Sequence, residues 1–93
     1  MNNEMQRLRA MLDAEHIKWE DKSDMGLYPI CRTHFSYKGQ RWSVIHGYGT
    51  YGGYDPCTDT DRGLLEAYNF SGDPKGDLTA EEVMHYVKGA DND

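Results

Sequence analysis

The run His46-Gly47-Tyr48-Gly49-Thr50-Tyr51-Gly52-Gly53-Tyr54 is where the residue types converge on a chemistry. Residues 47–54 hold four glycines and three of the chain's seven tyrosines. Glycine loses more backbone entropy on ordering than any other residue, so fixing such a run is costly. Tight bends after a strand, with tyrosine rings covering a thin core, are one use for it. Recognition is the other. Glycines let a backbone approach a ligand, exposed N–H groups hold anions, and tyrosine rings stack on bases at small entropic cost. Together these features suit a nucleotide cradle. The run lacks the Lys-Ser/Thr ending of a P-loop and the strand–Gly-x-Gly-x-x-Gly–helix setting of a dinucleotide site.

Arg32 and His34 alternate onto one face of an extended segment, and His46 ends the segment that follows. Depending on register, His46 falls near either of them. An arginine and two histidines beside a Gly/Tyr loop suit a phosphate or ribose group. The plainer alternative is the polar face of a half-solvated sheet. The expected ligand-binding set is Arg32, His34, His46, Tyr48, Gly49, Thr50, Tyr51, Gly52, Gly53 and Tyr54. In it the tyrosines stack, Gly49, Gly52 and Gly53 permit close approach, and Arg32 and His46 meet the polar part.

Other chemistries find less support. Cys31-x-x-His34 with His46 and Cys57 matches no established zinc spacing. Asp55, Asp59 and Asp61 lack the glycine and glutamate of a calcium loop. No serine elbow is present, nothing positions a Cys57–His pair, and Glu66 and Asp73 stand alone. No metal, cofactor or catalytic set is therefore expected. One enzymatic alternative stays open, with His34 and His46 as acid and base on a signalling nucleotide.

These residues need a scaffold, and the chain reads as α+β. Met1, Met5, Leu8 and Leu12 share one face of a helix over about 3–14. Ile17 and Trp19 alternate with polar residues, which suggests a short strand. Residues 30–37 and 42–46 form a hairpin about Lys38-Gly39-Gln40, with Cys31, Thr33, Phe35 and Tyr37 on one face and Ile30, Arg32, His34 and Ser36 on the other. Residues 47–63 read mostly as loop, and 64–68 as a strand or one helical turn, with strand preferred. Thr79 and Glu82 make a capping box, with Leu78 and Val83 as its hydrophobic staple, for a helix over about 80–88 that Gly89 ends. The architecture is an N-terminal helix, a small antiparallel sheet built on the hairpin, a Gly/Tyr-rich loop and a capped C-terminal helix. Residues 1–89 make one domain and 90–93 a polar tail.

Composition narrows the roles. With 93 residues and 38% hydrophobic content, the core must be thin, which favours homo-oligomers or a stabilising ligand. No apolar run approaches the ~20 residues of a membrane span. Two cysteines without other signs of export suggest reduced thiols in a cytoplasm. Sixteen acidic against ten basic residues give a net charge of -6, which opposes general binding to nucleic-acid backbones.

The order Arg32-Thr33-His34-Phe35, Trp42-Ser43-Val44-Ile45-His46-Gly47-Tyr48-Gly49-Thr50-Tyr51-Gly52-Gly53, Gly63-Leu64-Leu65-Glu66 and Gly76-Asp77-Leu78-Thr79-Ala80-Glu81-Glu82-Val83-Met84 resembles a group of small phage and prophage proteins of Gram-positive gut bacteria. Leu8-Arg9-x-Met11-Leu12-Asp13 and Ile17-x-Trp19 fit the same pattern. The resemblance implies a counter-defence role in the host cytoplasm but carries over no site residues. Two modes fit that setting. One is a non-catalytic sponge that sequesters a nucleotide immune signal. The other is an acidic inhibitor that binds a host defence protein such as a CRISPR nuclease.

Overall fold

The computed structural model describes residues 3–24, 26–27, 29–47, 49–50, 53–55, 60–61, 63–71 and 73–89. It is α+β, as the sequence indicates. Helix α1 (Asn3–Ala14) is followed by strands β1 (Trp19–Asp21), β2 (Ile30–Tyr37) and β3 (Gln40–Gly47). Next come β4 (Tyr54–Asp55), β5 (Thr60–Asp61), β6 (Leu65–Tyr68), β7 (Lys75–Leu78) and helix α2 (Ala80–Gly89). Five strands form one antiparallel sheet in the order β1-β2-β3-β6-β7, and β4 and β5 pair separately.

The period-2 pattern of the hairpin produces a two-faced sheet. Thr33 pairs with Val44 and Phe35 with Trp42 across β2 and β3, and all four are buried. Leu65 and Ala67 of β6 and Leu78 of β7 join them. Both helices cover this face. Met5, Leu8 and Leu12 of α1 pack with Ala80, Val83, Met84 and Val87 of α2 in the same core. Each large aliphatic side chain so buried contributes roughly 1.5–3 kcal/mol. Thr33 is a buried polar member of this layer, and its Oγ1 accepts from Arg9 Nε at 2.8 Å and donates to Met5 Sδ at 3.2 Å.

The helices lie side by side and run the same way. At one end Glu4 and Arg7 of α1 meet Ala80 and Glu81 of α2. At the other, Lys88 Nζ meets Glu15 Oε1 at 2.7 Å. The capping box forms as its residues require: Glu82 N donates to Thr79 Oγ1 at 3.2 Å, and Thr79 N to Glu82 Oε1 at 2.9 Å. Gly89 is the last residue of α2 rather than the one after it.

Three local outcomes differ from the pattern-based expectation. Ile17 belongs to the exit of α1, where Ile17 N donates to Leu12 O and His16 N to Asp13 O, with His16 left-handed at φ 58°. This is a Schellman closure, so β1 starts only at Trp19. The polar stretch Lys75–Leu78 becomes an edge strand, with irregular pairing to β6 and Asp77 at φ 59°. Residues 54–55 and 60–61 pair as short strands inside what reads as loop.

Candidate functional site: the open face of the sheet

Among the described residues, no helix packs on the face of the sheet away from α1 and α2. Strand register arranges its side chains in rows. Glu20 of β1 lies opposite His34 of β2, His34 opposite Ser43 of β3, and Ser43 opposite Tyr68 of β6. Arg32, Ile45 and Glu66 form the row on one side, and Ser36 and Arg41 the row on the other. Neighbouring rows are about 6.7 Å apart, the advance of two residues along a strand.

Phe70 completes the centre. It follows Tyr68 out of β6, is 49% exposed, and sits in the left-handed region at φ 64°. A non-glycine residue there stores strain of order 1–2 kcal/mol. Two contacts hold the turn: Ser71 N donates to Asn69 Oδ1 at 3.0 Å, and Gln40 Nε2 to Asn69 O at 3.3 Å. The Phe70 ring stands edge-on to His34 at 5.8 Å, tilts against Tyr68 at 5.2 Å, and has the Arg41 guanidinium 5.9 Å from its centre. Beneath it His34 Nδ1 is buried and has no hydrogen-bond partner among the described residues. Burial first, then the charges of Arg41, Arg32 and Lys22, hold the His34 imidazole below its ordinary pKa of 6.5, while Glu20 opposes them. Three of the chain's ten basic residues, Arg41, Arg32 and Lys22, thus act on one imidazole.

Two clefts open on this face, with His34 in the wall of one and its cross-strand partner Ser43 in the wall of the other. One, of about 250 Å³, is lined by Lys18, Trp19, Glu20, His34, Phe35, Ser36 and Arg41. The other, of about 350 Å³, is lined by Arg32, Ser43, Ile45, Glu66, Tyr68 and Pro74.

The structure separates the residues that sequence reasoning grouped. Arg32 and His34 share the open face. His46 does not: it pairs with Cys31 on the helix-covered face, is buried, and donates from Nδ1 to the Leu64 carbonyl at 2.8 Å. The even spacing from Trp42 and Val44 forces this, since register sets every second residue on the same side. Arg32, His34 and His46 therefore make no common site. Cys31 and His34 face opposite sides for the same reason. Among the described residues no three His, Cys, Asp or Glu side chains gather to hold a metal ion.

In the glycine run, packing accounts for several residues without a ligand. Gly47 N donates to Thr50 Oγ1 at 3.0 Å, Thr50 Oγ1 donates to the Gly47 carbonyl at 2.9 Å, and Gly53 N donates to Thr50 O at 3.1 Å. A side-chain carbon on Gly53 would overlap Thr50 Oγ1 and the Gly47 carbonyl, and one on Gly47 would come within 2.5 Å of the Pro29 carbonyl. Gly49 turns the chain at φ 75° with open space about it. Tyr48, Tyr51 and Gly52 lie outside the described residues, as does the side chain of Tyr54.

Sequence reasoning missed Arg41, Ser43, Tyr68 and Phe70, and took Glu66 as an isolated carboxylate. For Arg41, Ser43 and Tyr68 the signal was present, since each alternates with a core residue of its strand. For Phe70 the run Asn69-Phe70-Ser71-Gly72-Asp73-Pro74 announces a turn but not where the turn places the ring.

No protein-family model, curated protein or solved structure matches the chain. No helix among the described residues is long and apolar enough to cross a membrane.

Proposed function

We propose that the protein binds a small nucleotide-type ligand on the open face of its sheet and holds it without transforming it. The observation that carries this reading is Phe70, an exposed ring kept in a left-handed backbone over the partnerless His34 Nδ1, between Arg41 and Tyr68. Strain and orphaned polar atoms cluster where a ligand repays them. A nucleotide matches these groups: a flat ring for Phe70 and Tyr68, and anionic oxygens for Arg41 and Arg32. In the phage setting suggested by the sequence pattern, such binding acts as a sponge for an immune signal in the host cytoplasm, and copies of the chain associate to multiply its sites.

The inhibitor reading draws less support. A DNA mimic needs rows of uncommitted acids. Here Arg7 engages Glu4 and Glu81, Glu82 caps α2, and Glu15 holds Lys88. An enzyme using His34 and His46 together would need one substrate on both faces of the sheet.

Native mass spectrometry of protein purified from bacteria, with thermal shifts against mono-, di- and cyclic nucleotides, tests the proposal. The expected result is a recoverable, chemically unchanged ligand bound stoichiometrically to each chain. A chain that carries nothing and shifts with no nucleotide sinks it.

A further inference from the structure

The two clefts differ in charge, and the difference gives a bound nucleotide a direction. The smaller cleft sets Lys18 and Arg41 against one carboxylate, Glu20, whose Oε2 lies 3.7 Å from Lys22 Nζ. Ser36, His34, Trp19 and Phe35 complete its wall, and the excess of positive charge there favours an anion. In the larger cleft Arg32 and Glu66 stand at opposite ends of one row with Ile45 between them. Those two charges offset each other, and Ile45, Tyr68 and Pro74 supply an apolar floor. A phosphate gains less there, while a planar base gains stacking and apolar contact.

Resting on the ligand-binding reading above, we infer that the site takes a mononucleotide lying across the His34–Ser43 pair. Its phosphate sits in the Lys18–Arg41 cleft and its base in the Ile45–Tyr68–Pro74 cleft. The Ser36–Arg41 row and the Arg32–Ile45–Glu66 row lie about 13 Å apart, two row spacings, which gives one extended ligand room to reach both. The His34–Ser43 row lies midway and is covered there by Phe70, whose ring packs against His34 and Tyr68, so the sugar crosses over the half-exposed Phe70 ring. Arg41 carries the phosphate because its guanidinium donates paired hydrogen bonds while resting on Phe70.

The test is calorimetry with AMP and adenosine on the wild-type chain and on Arg41→Ala and Tyr68→Leu. Arg41 is exposed, so its loss spares the fold, and Tyr68→Leu keeps apolar volume in the larger cleft; circular dichroism and Tm verify both variants. Wild type is expected to bind AMP roughly tenfold or more tightly than adenosine, the scale of a charge-assisted contact. Arg41→Ala is expected to bring AMP down to the adenosine level and leave adenosine within about twofold, and Arg41→Lys to recover part of the AMP affinity. Tyr68→Leu is expected to weaken both ligands by the same factor. If wild type binds AMP but Arg41→Ala weakens adenosine equally, or Tyr68→Leu affects AMP alone, the assigned direction is wrong while the ligand-binding reading stands. If wild type binds neither compound, the mononucleotide assignment falls, and the ligand-binding reading falls with it only if the di- and cyclic nucleotides also fail to bind.

Discussion

Glu4 in the first turn of α1 caps the first turn of α2: its Oε1 accepts from the Ala80 amide at 2.7 Å. One carboxylate thereby satisfies an orphan N–H of a helix 76 residues away and sits at the positive end of its dipole. Arg7 extends the link to Glu81. Glu4→Ala is expected to lower the free energy of unfolding by about 1–2 kcal/mol, as cap removal does, measured by urea denaturation. Thr79→Ala should cost about 1 kcal/mol at the same helix end.

His16 occupies the left-handed position of the Schellman closure. Glycine has no side chain to clash there. His16→Gly is expected to raise stability by about 1 kcal/mol, seen as a higher urea midpoint at an unchanged slope. A drop in the midpoint would mean that the imidazole makes a contact outweighing its strain.

Gly47, Gly49 and Gly53 should respond differently to alanine. At Gly47 and Gly53 the new carbon meets backbone, so both variants should lose several kcal/mol or fail to fold. At Gly49 only the positive φ is at issue, and the loss should be about 1 kcal/mol. Thermal melts of the three variants read this order directly.

Phe70→Gly separates stability from binding. Glycine relieves the left-handed strain, worth about 1 kcal/mol, and removes a ring that is half exposed. Stability should stay within about 1 kcal/mol of wild type, while nucleotide affinity falls. Unchanged affinity in calorimetry would detach the ring from recognition.

His34 makes stability depend on pH. Its folded-state pKa lies below 6.5, so the unfolded chain takes up a proton that the folded chain refuses as pH falls through 6.5. Above that pH the residue has no effect. Below it stability declines until the folded-state pKa is passed. Tm measured from pH 8 down to pH 5 should fall less for His34→Gln than for wild type. Saturating AMP should shrink the wild-type decline, because a bound phosphate favours the charged imidazole.

The helices and the hairpin were legible because their signals are local. The α1 stripe, the capping box at Thr79–Glu82 and the alternation through Trp42 and Val44 each depend on residues within a few positions. Lys75–Leu78 was not legible, since three of its four residues disfavour strands and only pairing with β6 makes it one. The candidate site divides along the same line. Alternation showed that Arg32 and His34 share a face, but only register put His46 on the other. The same parity, applied to Arg41, Ser43 and Tyr68, held most of the open face. Thr50 bonding to Gly47 and Gly53 shows why tertiary contact was needed to read those glycines.

The two helices that close the core come from far ends of the sequence, with Glu4 meeting Ala80 and Glu15 meeting Lys88. The order of assembly follows. The β2–β3 hairpin joins neighbours through a two-residue turn at Lys38 and Gly39, both with positive φ, and can close early. The helix pair must close the longest loop in the chain, so it pays its entropy late. During synthesis the part of the apolar side that α2 covers therefore stays exposed until α2 leaves the ribosome, and transiently exposed apolar surface of this kind favours aggregation.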